Sequence, residues 1–365
     1  METYPLVSLT IAEAIALQFK LVDTITQFFP GNEILMRGDL GVVAGLNKPV
    51  TTHKIEQVLA KFFDAEAAIL VRGAGTNAIR LALNAIGKKK VLIHTAPIYP
   101  TTKVSLEMLG TECIAVDFNQ PDRVQEMLRQ VDIDFALIQV TRQLPGDAYD
   151  LAELIQSIRQ IRPDLPIVTD DNYAVLKTQS IGVQLGANLS CFSTFKLLGP
   201  EGIGCIVGDW SYIEAITRDN YSGGGQVQGH EALEVLRGMV YAPVAHAIAA
   251  EVGTQVCQRL NEGEILGVKQ AWVVNAQSRV IVVELEQPLA CSVIQVASQY
   301  GALPYPVGAE SKYEICPLFY RVSGTFRAML PEAEKYMIRI NPNRAGVDTI
   351  IRILDEALKD AQRRE

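Results

Sequence analysis

Residues 166–207 read PIVTDDNYAVLKTQSIGVQLGANLSCFSTFKLLGPEGIGCIV. Three apolar, β-branched runs stand out, Pro166 to Thr169, Leu189 to Thr194 and Gly204 to Val207. Each is too short for a helix and is bounded by turn residues, so each reads as a buried strand. The first runs straight into two carboxylates, Asp170 and Asp171, and the second into Phe195-Lys196-Leu197-Leu198-Gly199-Pro200. Working back toward the N-terminus, the same kind of run recurs at Ala67 to Val71, Lys90 to His94, Cys113 to Phe118 and Asp134 to Val140. Helical spacing fills the intervals at Asn77 to Ala85, Lys103 to Leu109, Asp122 to Gln130 and Leu151 to Arg159. This βαβ alternation predicts an α/β fold, a mostly parallel sheet covered by helices, with ligands bound in the turns just after the strands.

The flanks read differently. Thr10 to Phe29 and Lys54 to Phe63 have helical spacing, and a long helical stretch from Glu231 to Leu260 carries Pro243, where a kink is expected. From Val268 onward the signals run Val280 to Leu285, Ala290 to Tyr300, Lys335 to Asn341 and Val347 to Ala361, a smaller α+β unit. The expected division is an N-terminal helical segment (1–45), a large α/β domain (46–250) and a small C-terminal α+β domain (251–365), consistent with 365 residues exceeding one core.

Composition narrows the function classes. At 48% apolar and 20% charged residues the chain is not disordered. Its net charge is −8, and no basic tract exceeds Lys88-Lys89-Lys90, so no nucleic-acid partner is expected. The longer apolar stretches, such as Met239 to Ala245, fall far short of the roughly 20 residues of a membrane-spanning helix. The N-terminus lacks signal-peptide features. Cys113, Cys191, Cys205, Cys257, Cys291 and Cys316 fall singly, without metal-ligand spacing. They read as buried thiols in a cytoplasmic, reducing setting, with no metal site.

Three segments can carry chemistry. Arg72-Gly73-Ala74-Gly75-Thr76-Asn77-Ala78 follows a strand and opens a helix, where small residues and free amides suit a phosphate. The same GAGTNA turn matches a dinucleotide fingerprint, an alternative that would make the chain a nucleotide-binding oxidoreductase. That fingerprint requires an acidic residue about 20 positions on, at the next strand end, where this chain has His94-Thr95-Ala96. Asp170 and Asp171 sit at the ligand edge of the sheet, with helix or turn capping as the other reading. Lys196, flanked by apolar residues, is placed for the partial desolvation that favours a neutral, Schiff-base-forming amine; otherwise it is a lysine snorkelling from a strand end.

The order of these segments, a phosphate turn, then an Asp at a strand end, then a Lys 26 residues later, resembles the fold type I pyridoxal-phosphate enzymes of the aspartate aminotransferase superfamily. The resemblance spans roughly residues 50 to 345, and the Lys segment is similar to selenocysteine synthase-like and cystathionine lyase-like members. It implies pyridoxal 5'-phosphate as cofactor, Lys196 as Schiff-base residue and general base, and Asp170 as partner of the pyridine nitrogen, with Asp171 the competitor. Tyr173 would reach the phenolic oxygen, Gly75, Thr76, Asn77 and Ser193 would hold the phosphate, and Tyr99, in competition with His94, would cover the ring. Arg339 would bind the substrate carboxylate, with Arg344 and Arg37 as competitors. Gly223-Gly224-Gly225 reads either as a linker or as contact with a ligand or second subunit. His230 and His246 read as structural. The implied protein is a homodimer with active sites near the subunit interface, acting on a small amino acid through a Cα carbanion. The features around Tyr99 and Lys196 tip the reaction toward β/γ-elimination or substitution, with transamination as the alternative.

Overall fold

The computed structural model describes residues 2–87, 89–142, 144–274, 280–308 and 310–364; Lys88 of the basic tract lies outside them. Two compact units form, one from residues 12–141 and 149–243, the other from residues 1–11, 142–148 and 244–365.

The first unit contains, in chain order, α1 (Ile11–Phe28), α2 (Val50–Phe62), β1 (Ala67–Arg72), α3 (Ala74–Ile86), β2 (Lys90–His94), α4 (Pro100–Met108) and β3 (Glu112–Val116). It continues with α5 (Pro121–Gln130), β4 (Phe135–Gln139), α6 (Leu151–Ile161), β5 (Ile167–Asp170), β6 (Leu189–Ser193), β7 (Ile203–Gly208) and α7 (Trp210–Asp219). Helix α8 (Gly229–Asn261) begins in this unit and contains Pro243, the last residue assigned to it. The strands form one seven-stranded sheet in the order β1-β7-β6-β5-β4-β2-β3. Only β7 runs against its neighbours β1 and β6; every other pairing is parallel. The carboxyl ends of β1, β2, β4, β5 and β6 therefore share one edge of the sheet.

Why these segments are strands is visible in β1. Ala68 and Leu70 pack into one core cluster with α2 and α8 residues, while Ile69 and Val71 pack into another with α3, so successive side chains are buried on opposite faces. A strand covered on both sides must be apolar throughout, which is the pattern the sequence shows. Each fully buried aliphatic contributes roughly 1.5–3 kcal/mol. Strand β1 lies at the sheet edge, and its outward Leu70 N–H is satisfied by Glu56 Oε1 of α2 at 3.0 Å. The other oxygen of Glu56 takes a bond from Lys48 Nζ at 2.7 Å, both side chains being at most 6% exposed. The pair closes the edge, which would otherwise be open to pairing with another chain.

The second unit has a four-stranded antiparallel sheet of β8 (Val268–Val273), β9 (Ile281–Leu285), β10 (Leu318–Arg321) and β11 (Met337–Asn341), ordered β10-β11-β9-β8. Helices α9 (Ala290–Ala297), α10 (Gly324–Met329), α11 (Ala333–Tyr336) and α12 (Val347–Arg364) complete it. Val293, Val296, Ile350, Leu354 and Leu358 bury one face of the sheet. The expected α/β architecture with a smaller α+β unit is thus present. The sequence reading had no strand at β8 or β10 and no helix at α7, whose buried positions are only Ile213 and Ile216. The thiols need correction: Cys191, Cys205 and Cys257 are buried, but Cys113, Cys291 and Cys316 are exposed. Cys113 lies on β3, the far edge strand, and Cys291 in the first turn of α9, where one side lacks cover. Among the described residues no helix is long and apolar enough to cross a membrane.

Candidate active site

The shared strand edge gathers most of the residues singled out from sequence. Helix α3 starts directly after β1, so the Gly75 and Thr76 amides lie in its first turn, where a helix has no internal acceptor for them. Gly73 N–H and Ala74 N–H instead bond Gly202 O at 2.7 and 3.0 Å, tying this turn to the loop that follows Lys196. Gly75 is required by close approach: a Cβ there would lie 2.7 Å from both amide atoms of Asn172. Thr76 Oγ1 meets Thr101 Oγ1 at 3.3 Å, bringing the Tyr99 turn beside the GAGTNA turn. The Asn77 Nδ2 donates back to Arg72 O at 2.8 Å, leaving the amide oxygen of that side chain as its other polar end. Arg72 itself forms a two-pronged pair with Glu231 at 2.9 and 2.7 Å and donates to Gln226 O. It thereby anchors the chain just after the Gly223–Gly225 turn.

The two adjacent carboxylates part company. Asp171 is fully buried and accepts from Thr169 Oγ1 and, at 2.9 Å, from Gly182 N–H. Burial pushes its carboxyl up to about 6, against those bonds. Asp170 accepts at Oδ1 from the N–H of Asn172 at 3.1 Å and from Asn172 Nδ2 at 2.8 Å. Burial raises its carboxyl too, while the Asn172 bonds and the charge of Lys196 pull it down. The charge of Lys196 thus acts on Asp170, while the bonds of Asp171 run to Thr169 and Gly182.

Lys196 lies in a tight 3-10 turn, Thr194–Leu197, between β6 and the reversed strand β7, and is half-buried. Its Nζ stands 4.5 Å from the centre of the Tyr173 ring, and Lys177 Nζ stands 5.3 Å from the same centre. Gly238 of α8 lets the helix close on this turn, since a Cβ there would come within 2.5 Å of the Leu198 carbonyl. Ser193 is buried and its N–H bonds Asn172 Oδ1 at 3.0 Å. Left-handed backbone is costly for side chains other than Asn, Asp and Gly. Among the described residues it occurs outside Gly, Asn and Asp at Ala74, Tyr173, Leu176, Leu198 and Glu310, so four of these five lie in the turns at this edge.

The remaining candidates divide. His94 is committed elsewhere: Nδ1 accepts from Phe118 N–H at 3.0 Å and the ring stacks on Phe118. Tyr99 caps α4 and is 40% exposed. Arg339 belongs to the other unit, on β11, where its guanidinium lies 4.0 Å from the Tyr320 ring centre and Nε donates to Arg321 O at 3.0 Å. Arg344, also in that unit, is lowered by burial against the charges of Glu310 and Glu314. Arg37 is exposed. Gly223–Gly225 form a turn closed by Gly225 N–H to Ser222 O at 2.8 Å, so the run is not an open linker. His230 is exposed at the start of α8 and His246 is buried within it. Sequence reading gave no role to Asn172, Thr141 or Lys177. The signal for Asn172 was its place two residues after Asp170, where an Asx turn is common.

Residues 49–235 match the aminotransferase class-V family, and residues 254–354 match the family of YhfS-like C-terminal domains. The chain is 53% identical over 360 residues to the uncharacterized protein YhfS of Escherichia coli (strain K12), covering 98% of this chain and 99% of that one. A crystal structure of the pyridoxal-5'-phosphate dependent protein YhfS from Escherichia coli superposes with a TM-score of 0.97 at 52% identity, over 99% of this chain and 100% of the other. A cystathionine gamma lyase from Micromonospora echinospora shares the fold, with a TM-score of 0.69 at 16% identity over 86% of this chain and 88% of the other.

Proposed function

The chain belongs to the aminotransferase class-V family and has the architecture of the fold type I pyridoxal-phosphate superfamily, and from that premise we propose that it binds pyridoxal 5'-phosphate and acts on a small amino acid. The observation that carries this is the meeting at Asn172 of the buried Asp170, of the β6 end that leads into Lys196, and of Gly75, where a side chain would find no room. The residues present fit the cofactor. First-turn amides at Gly75 and Thr76, with Asn77 and Ser193, would hold its phosphate. Tyr99 would cover the ring and Tyr173 would serve its phenolic oxygen.

When bound, the cofactor supplies an electrophilic carbon for the substrate amine and a ring that accepts the electron pair left at Cα. The chain's own residues do the rest. Lys196 Nζ would carry the proton to and from Cα, and Asp170 would hold the proton on the ring nitrogen. Arg339 would take the substrate α-carboxylate, as a planar guanidinium on a strand does well. Elimination or substitution at the β or γ carbon is the favoured outcome, supported by the Tyr99 turn and by the fold shared with a lyase. Transamination is the second reading, supported by the family match.

A second copy of the chain is the proposed partner, making a homodimer with active sites near the subunit interface. Leu35, Met36, Leu40 and Val42 are all exposed, and a Cβ on Gly223 would sit 3.6 Å from Val42, so the glycine turn and this apolar segment form one surface. Six free thiols suit a reducing, cytoplasmic location.

The cofactor reading is tested by borohydride reduction of the holo-protein followed by peptide mapping. The expected result is a stable adduct on Lys196 alone; no adduct there sinks the proposal. Incubation with each common amino acid then separates the reactions. Keto acid and ammonia without an amino acceptor mean elimination, whereas a strict need for an acceptor means transamination.

A further inference from the structure

Asn172 touches three of the segments that the cofactor needs, and no role follows for it from the proposed chemistry alone. Its backbone N–H and its Nδ2 both donate to the same oxygen of Asp170, Oδ1, at 3.1 and 2.8 Å. No donor among the described residues bonds Oδ2. Its own Oδ1 accepts the N–H of Ser193 at 3.0 Å, which holds the end of β6 just before the Lys196 turn. The end of its amide abuts Gly75, so close that a single methyl on Gly75 would stand 2.7 Å from both Nδ2 and Oδ1. The carbonyl of Asn172 is held in turn by Thr141 Oγ1 at 2.9 Å, from the end of β4.

We propose that Asn172 is a positioning residue: by occupying Asp170 Oδ1 twice it leaves Oδ2 as the oxygen offered to the cofactor ring, and it locks that carboxylate to the phosphate turn and the lysine strand. The inference rests on the pyridoxal-phosphate reading. The chemistry demands an amide at this place. An aspartate of the same shape keeps an acceptor for Ser193 but turns the donor toward Asp170 into a second negative charge. A glutamine is one carbon too long for the contact with Gly75, and a leucine supplies neither bond. Two charge-assisted donors on one oxygen also favour the ionised carboxylate that burial opposes.

The test uses Asn172→Asp in the full chain, with three readouts. Affinity for pyridoxal phosphate is expected to fall about tenfold, the cost of one charge-assisted bond. Inorganic phosphate, which needs only the GAGTNA turn, is expected to protect the cofactor-free protein against heat as in the wild type. The pH midpoint of the bound cofactor's visible band is expected to rise by about one unit. The direction follows because a weaker hold by Asp170 on the ring-nitrogen proton leaves the Lys196 nitrogen in the adduct more basic. Turnover should fall in kcat with KM little changed. A lower melting temperature with wild-type midpoint, affinity and kcat would overturn the proposal and leave Asn172 merely structural. Should Asn172→Asp fail to fold, Thr141→Val loosens only the Asn172 carbonyl and must move the midpoint the same way by a smaller amount; an unmoved midpoint overturns the proposal equally. Absence of the Lys196 adduct in the wild type would instead remove the cofactor reading itself, an outcome the midpoint does not mimic.

Discussion

The first unit buries two acids beside two lysines, and the two arrangements do opposite things. At the sheet edge Lys48 and Glu56 close on each other at 2.7 Å, and the second oxygen of Glu56 is taken by the Leu70 N–H. Both oxygens of Glu56 are taken, and the pair seals a strand. At the centre of the sheet Asp170 feels the charge of Lys196 but takes its hydrogen bonds from Asn172, while Lys196 sits half-buried over the Tyr173 ring. Asp170 Oδ2 accepts no hydrogen bond from the described residues. A lysine and a carboxylate thus make a closed joint in one place, while in the other the carboxylate is held by an amide instead. What separates them is whether the acid's bonds are completed by the lysine or by a neighbouring amide.

The strongest way to break this contrast is to remove the lysine on the amide-held side. Lys196→Ala should lower turnover by about 10³-fold or more, since both covalent attachment and proton transfer are lost. Steady-state assays with whichever amino acid the incubations turn over measure it, and urea denaturation should show stability little changed. On the closed side the effects should be reversed. Lys48→Met strands a buried carboxylate and should cost about 3–5 kcal/mol of stability, read from urea midpoints, with kcat per folded molecule retained. If Lys48→Met instead lowered activity as steeply as Lys196→Ala does, the distinction between joint and site would collapse.

Asp171 sharpens the comparison from behind the site. Its carboxyl is raised from 3.8 to about 6 by burial, so between roughly pH 4 and 6 the folded chain holds a proton that the unfolded chain has released. Stability should therefore fall as pH rises through that window, by at most about 3 kcal/mol. Asp171→Asn should flatten that fall in urea titrations at several pH values, while Asp170→Asn should strike turnover. The smallest expected effect is at Arg339, a cation already engaged with the Tyr320 ring and the Arg321 carbonyl. Arg339→Ala should raise KM by about ten- to a hundredfold with little change in kcat. An unchanged KM would assign Arg339 to its own sheet, alongside the closed joint.

Much of this was legible in the chain. The strands of the first unit announce themselves because a sheet covered on both faces needs unbroken apolar runs, and Asp170 and Lys196 are visible as the charges that end two of them. The terminal strand β10 was not legible, since Leu318–Arg321 is only four residues long and ends in an exposed arginine. Helix α7 was missed because half its surface faces water and two isoleucines carry its burial. Asp170 was preferred to Asp171 through the resemblance alone, because the bonds that engage Asp171, from Thr169 Oγ1 and Gly182 N–H, one of them 11 residues away, are not written in the local sequence. The part played by Asn172 was hidden for the same reason: its partners come from three turns that meet only when the sheet is assembled.

The sheet order also bears on how the protein is made. Strand β1, whose end carries the GAGTNA turn, pairs only with β7, and the register runs from Ala67 with Gly208 to Arg72 with Ile203. A ribosome that has finished β1 must therefore add well over a hundred further residues before that strand has a partner in the sheet. Until then an apolar edge strand waits unpaired, the situation in which large chains call on chaperones and risk misassembly. Nascent chains stopped just before Ile203 should leave β1 open to protease, and chains released just beyond Gly208 should protect it.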